Sequence, residues 1–146
     1  EKLTKIGYIH YCPKCLHRET SMNNCTVQCP CGEDLLIGGP LWLGELSDPE
    51  YMKKIMIDIE KIPYMMGIRT EDILRLVQNE YDYPVGFFVI DSICKLVGIK
   101  SIATIDVIDA IKMQGFKVTK THFNPRGIKT NASADELVKI FKQFNR

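Results

Sequence analysis

Two tight cysteine pairs near the start of the chain, Cys12-Pro13-Lys14-Cys15 and Cys29-Pro30-Cys31-Gly32, constrain its fold more than any other feature. A C-x-x-C turn aims two thiolates to one side, so two facing turns can enclose a tetrahedral zinc ion. The second pair is C-x-C, followed by a glycine suited to a tight turn. Cys25 lies between the pairs and is the substitute ligand if one of the latter pair is not used; Cys94 lies apart, in an apolar stretch, as a core thiol. The alternatives to metal are a disulfide or ordinary buried thiols, and the clustering favours metal. Four thiolates can fill every position on the ion, so the site is expected to be structural.

The segments around the cysteines have no helical periodicity. Gly7 to Tyr11 reads as a strand entering the first turn and Asp34 to Gly38 as one leaving the second. Strand, knuckle, loop, knuckle, strand is the plan of a zinc ribbon whose thin core depends on its metal. After the Gly38-Gly39-Pro40 break, Leu41 to Gly44 reads as an apolar connector, with Trp42 expected to pack the ribbon against the remainder.

Beyond Leu46 the pattern turns helical. Ser47-Asp48-Pro49 is a helix start, with a capping side chain and an early proline. Tyr51, Met52, Ile55, Met56 and Ile59 form an apolar stripe opposite Lys53 and Lys54. A second helix starts near Thr70, with Ile73, Leu74, Leu76 and Val77 as its buried side. Pro84 opens an apolar third segment that Gly98 closes, and a fourth helix, from about Ala103 to Gln114, is expected to bury Ile105, Ile108 and Ile111. Phe116 to Thr121, the turn Asn124-Pro125-Arg126-Gly127 and Ile128 to Thr130 read as a hairpin. Ser133 to Glu136 is a capping box that starts a last helix burying Leu137, Ile140, Phe141 and Phe144. The expected fold is α+β: a zinc-ribbon-like module and connector over residues 1–46, then a helical domain over residues 47–146 with a small β-hairpin, in a winged-helix-like order.

The hairpin is basic. Lys117, Lys120, His122, Arg126 and Lys129, with Asn124, crowd together without an intervening carboxylate, as phosphate contact requires. A solvated positive turn is the plainer alternative. A formal charge of +1 over 146 residues argues against a bulk polyanion binder, and no apolar run is long enough to span a membrane. No initiator methionine or signal peptide opens the sequence, and the cysteine usage points to a reducing, cytoplasmic setting. Dinucleotide, P-loop and hydrolase fingerprints are missing, so the chain does not read as a complete enzyme.

Two stretches carry a resemblance: Gly39-Pro40-Leu41-Trp42-Leu43-Gly44-Glu45-Leu46, soon after the cysteines, and Thr121-His122-Phe123-Asn124-Pro125-Arg126-Gly127-Ile128-Lys129-Thr130-Asn131-Ala132. Together they resemble the C-terminal half of the Trm1-type tRNA (guanine-N2-)-dimethyltransferases, archaeal members in particular. The resemblance runs from about Ile6 to Phe144. It implies a tRNA-binding role for this chain and a partner: a methyltransferase domain, in cis or in trans, that binds S-adenosylmethionine and does the chemistry. It supplies no catalytic or cofactor residue here. Cys12, Cys15, Cys29 and Cys31 become its zinc ligands, and Lys117, Lys120, His122, Asn124, Arg126 and Lys129 the expected tRNA contacts. The competing reading is a zinc-containing winged-helix-like module that binds DNA or another protein.

Overall fold

The computed structural model describes residues 5–24, 28–61 and 69–145. The first module is a three-stranded antiparallel sheet in the order β2-β1-β3, formed by β1 (Ile6–Tyr11), β2 (Arg18–Ser21) and β3 (Leu36–Trp42). β3 starts later and runs further than the sequence pattern predicts, through the Gly-Gly-Pro break. It can do so because it is an edge strand, where the missing N–H of Pro40 costs no ladder bond. Gly39 also lets the strands close up, since a Cβ there would lie 2.8 Å from the Gly7 carbonyl oxygen. The register slips between Gly7 and Ile9, and the expected connector residues Leu41 and Trp42 become part of the sheet.

Among the described residues the ribbon's own apolar core is Cys12, Cys29 and Leu35, with Cys15 packed against them. Three residues bury too little apolar surface to hold a sheet, so cohesion rests on the thiol cluster.

The second module begins with α1 (Pro49–Lys61) and α2 (Thr70–Asn79), which pack on each other. Asp48 caps α1, its Oδ1 accepting the Tyr51 amide at 2.9 Å, as the sequence predicts. The apolar stripe is only partly covered. Met52 and Ile59 are buried, whereas Tyr51 is exposed; α2 has no buried residue and leaves Ile73 open. An amphipathic period shows which face is apolar but not how much of it a neighbour covers.

The remaining elements form the main core: β4 (Phe88–Val89), α3 (Ile90–Val97), α4 (Thr104–Met113), β5 (Val118–Lys120), β6 (Gly127–Thr130) and α5 (Ala134–Lys142). The sheet order β4-β6-β5, all antiparallel, with α3 and α4 connecting β4 to β5, is winged-helix connectivity. Gly98 ends α3 in the left-handed conformation, φ 76°. The Ser133–Glu136 capping box is present, and α5 packs against α3 and α4. Leu137 and Phe141 are fully buried, worth about 1.5–3 kcal/mol each. Cys94 is a buried core thiol. In α4 the buried set is Val107, Ile108 and Ile111, and Ile105 is exposed. At ~100° per residue Ile105 sits ~110° from the centre of that set, so the period excludes it.

The two modules are joined by residues at the first knuckle rather than by Trp42. Leu16, at φ 63°, inserts into the main core, and Tyr11 packs there too. The Arg18 guanidinium lies 3.7 Å from the centre of the Phe88 ring and donates to the Phe87 carbonyl. Trp42 stays with its own module: its indole N–H donates to the Glu45 carbonyl at 3.0 Å, and its ring is 39% exposed.

Candidate metal centre and hairpin surface

The knuckles are built by short backbone bonds. The Cys12 amide donates to His17 and the Leu16 amide to Cys12, at 2.8 and 3.0 Å. The Cys29 amide donates to Glu33 and the Gly32 amide to Cys29, at 3.0 and 2.8 Å, with Gly32 at φ 84°. These turns bring Cys12, Cys15, Cys29 and Cys31 together, all four Sγ atoms within 4.8 Å of one another. The short separations are Cys15–Cys29 at 3.4 Å and Cys12–Cys31 at 3.6 Å. A tetrahedral zinc–thiolate site with bonds of ~2.3 Å has sulfur–sulfur edges of ~3.8 Å, so this donor set fits one such ion. Cys25, the substitute ligand in the sequence reading, lies outside the described residues.

The packed thiols also shift one another's protonation. Burial pushes the Cys12 thiol up, but the Cys15 and Lys14 amides and the neighbouring thiols bring it down to about 7. Burial pushes Cys15 up to about 12, with the adjoining sulfurs adding to it and the His17 backbone opposing. At Cys29 the Cys31 amide pulls downward, and burial with the Cys31 and Cys12 sulfurs outweighs it. Packed sulfurs resist sharing several negative charges, and a dication at their centre removes that conflict. Such an ion would be closed off by four thiolates, with no position left for substrate.

The hairpin differs from its one-dimensional reading. No carboxylate interrupts it in sequence, yet carboxylates reach it from other elements. Glu80, at the end of α2 and 3% exposed, accepts the His122 amide at 2.6 Å and lies 2.8 Å from the His122 Nδ1. Its other oxygen sits 3.2 Å from the Lys129 ammonium, which is 2% exposed. Burial pushes the Glu80 carboxyl up, but the His122 amide and ring and Lys129 outweigh it and hold it below the usual carboxylate range. Arg126 donates to both Asp91 oxygens, at 2.7 and 3.1 Å, and to the hydroxyls of Ser101 and Thr104. The Asn124 side chain accepts the Arg126 amide at 2.8 Å and so serves the turn. Lys117 pairs with Asp82 at 2.9 Å in an exposed position. The Lys120 side chain is exposed and has no ion-pair or hydrogen-bond partner among the described residues. Glu80, Asp82 and Asp91 were not singled out by sequence reasoning. Nothing in the local pattern marks them, because each meets its cation across 35 or more positions of chain.

Between the modules runs a groove of about 1190 Å³, lined by Trp42, Tyr81, Phe87 and Phe123 among others. The exposed face of α4 carries Asp106 and Asp109 against Lys112.

A four-thiol knuckle sheet on a winged-helix-type core defines an α+β domain with a candidate metal centre. Residues 1–142 match the family described as N2,N2-dimethylguanosine tRNA methyltransferase, and the chain belongs to that family. It is 37% identical to the tRNA (guanine(26)-N(2))-dimethyltransferase of Methanobrevibacter smithii, over 99% of this chain and 38% of the relative. With the enzyme of that name from Saccharolobus islandicus it shares 31% identity, over 95% of this chain and 36% of the relative. Among solved structures it resembles Trm1 from Pyrococcus horikoshii in complex with S-adenosyl-L-methionine, at a TM-score of 0.73 and 27% identity, covering 94% of this chain and 35% of that one. The chain thus spans less than two fifths of these relatives. No described helix is long and apolar enough to cross a membrane.

Proposed function

We propose that this chain grips tRNA for a guanosine N2-dimethyltransferase whose S-adenosylmethionine-binding catalytic domain lies outside residues 1–146. The observation that carries the reading is the match of nearly the whole chain to part of much longer tRNA-modifying relatives. Cys12, Cys15, Cys29 and Cys31 would hold a structural zinc, which supplies cohesion to the ribbon and no chemistry. The setting that fits a tRNA-modifying role is the cytoplasm. Methylating N2 of a guanosine within folded tRNA requires the base to leave its stack, at a cost of a few kcal/mol. Binding energy from contacts elsewhere on the RNA offsets part of that cost and selects the guanosine that is presented.

On the hairpin the six expected RNA contacts divide by environment. Lys120, and Lys117 once it leaves its exposed partner Asp82, are the groups able to meet phosphate. Lys129, His122, Arg126 and Asn124 hold the hairpin in shape. Against the DNA-binding alternative stands α4, the helix a winged-helix protein would lay in the major groove: two carboxylates on its exposed face would meet the phosphates unfavourably.

Competition binding tests the reading. An in vitro transcribed tRNA is expected to displace labelled tRNA from the chain at far lower concentration than duplex DNA of equal length. Equal or better displacement by the DNA would reject it.

A further inference from the structure

From the groove between the modules we infer that Phe123 is a stacking platform for an unpaired nucleobase of the bound tRNA, which deepens the tRNA-binding reading and rests on it. Phe123 stands at the hairpin tip and is 58% exposed, so part of its ring is open to a partner. Its support is rigid. The ring stacks on Phe87 at 5.8 Å between centroids and 9° between planes, and the His122 ring lies 3.9 Å away. His122 is pinned by two contacts to buried Glu80, and the Phe87 carbonyl by Arg18. The Phe123 amide and the Asn124 turn are hydrogen-bonded locally to Thr121 and Gly127. Such a ring is held in place before anything binds, so little ordering cost opposes stacking.

The charges of the groove select between parts of the RNA. Of its cations, Lys5 and Lys129 are paired with Glu45 and Glu80, and Arg18 is engaged by the Phe87 carbonyl and the Phe88 ring, so these offer little to a phosphate, whereas Lys117, paired with Asp82 in an exposed position, can turn to the backbone. The groove leaves aromatic faces open, Phe123 with Tyr81 at 37% and Trp42 at 39% exposure, beside the exposed aliphatic side chains of Met22 and Leu46. Aromatic faces with neutralised charge suit bases rather than backbone, and unpaired bases are the part of tRNA that can reach them. Exposed Lys120, two positions beyond β5's start, supplies the separate phosphate contact.

The test compares the wild-type chain with Phe123→Leu, Phe123→Trp and Lys120→Ala for binding of a tRNA transcript and of a fully paired RNA stem across a salt series, with melting curves to verify folding. Base–aromatic stacking of ~1–3 kcal/mol corresponds to about 5- to 150-fold in affinity. Phe123→Leu is expected to weaken tRNA at least about fivefold with an unchanged salt slope, and to leave the paired stem unaffected. Phe123→Trp should bind tRNA as wild type or tighter. Lys120→Ala should lower the salt slope by about one unit. Wild-type tRNA affinity in folded Phe123→Leu, or equal weakening for tRNA and paired stem, overturns the platform while leaving tRNA binding intact. A wild-type chain that does not bind tRNA overturns both.

Discussion

Glu80→Ala is the substitution that most directly tests how the hairpin is held. The carboxylate has three contacts: the His122 amide at 2.6 Å, the His122 ring at 2.8 Å and the Lys129 ammonium at 3.2 Å. Removing it orphans an amide and an ammonium that is 2% exposed. Hydrogen bonds to charged groups contribute about 1.5–3 kcal/mol each, and breaking a buried pair by deleting one partner costs about 3–5 kcal/mol. Taking the second figure as the whole effect, Glu80→Ala removes a fifth or more of a domain stability of about 5–15 kcal/mol. Urea unfolding of wild type, Glu80→Ala, Lys129→Met and the double variant measures it. The double variant lacks the orphaned ammonium and should be at least ~1 kcal/mol more stable than the sum of the single losses implies. Acidity supplies an independent check. The folded Glu80 carboxyl is held below its unfolded value of 4.5, so its contribution is complete above 4.5 and is lost as pH falls through the lower folded value. The gap between wild type and Glu80→Ala should therefore close in acid. A loss under ~1 kcal/mol at neutral pH, or a gap that widens in acid, would refute the anchoring role.

Other substitutions probe other joints. Cys12→Ser should lower zinc from about one per chain by elemental analysis and unfold the ribbon with it, since structural zinc contributes about 10–16 kcal/mol in finger peptides; retained ribbon protection against protease without zinc would contradict this. Arg18→Met removes the guanidinium from the Phe88 ring and the donor from the Phe87 carbonyl. It should cost about 1–3 kcal/mol and speed hydrogen exchange in β4 and β6, with zinc content unchanged. Gly127→Ala places a Cβ 2.4 Å from the Thr121 methyl and 3.0 Å from the Phe87 ring, so melting should drop by the equivalent of about 1–3 kcal/mol, whereas Gly38→Ala, which meets nothing within 4 Å, should not share the loss.

Much of the architecture is written locally. The knuckle spacing, the Asp48 and Ser133 caps, the Gly98 stop and the hairpin turn each involve residues within a few positions of one another, so composition and period disclose them. The same holds for the thiol set: two short turns bring the pairs into shape, and folding has only to face them together. Where the local reading missed, the deciding partner was distant or absent. Tyr51, Ile73 and Ile105 belong to apolar patterns but lie beyond the reach of any covering element among the described residues. Trp42 reads as the module joint, yet the joint is made by Leu16, whose left-handed backbone no pattern announces, and by Arg18.

The charge of the hairpin shows the division most clearly. The sequence by itself determined that Lys117, Lys120, Arg126 and Lys129 share one hairpin without a carboxylate, because strand and turn propensities act over neighbours. Only the tertiary structure decided which of these cations remain available. Burial makes an unpaired charge costly, so the fold recruits Glu80 from the end of α2 for Lys129, while Asp91 from α3 engages Arg126. Lys120 stays in water, where no such cost applies, and remains open to a partner.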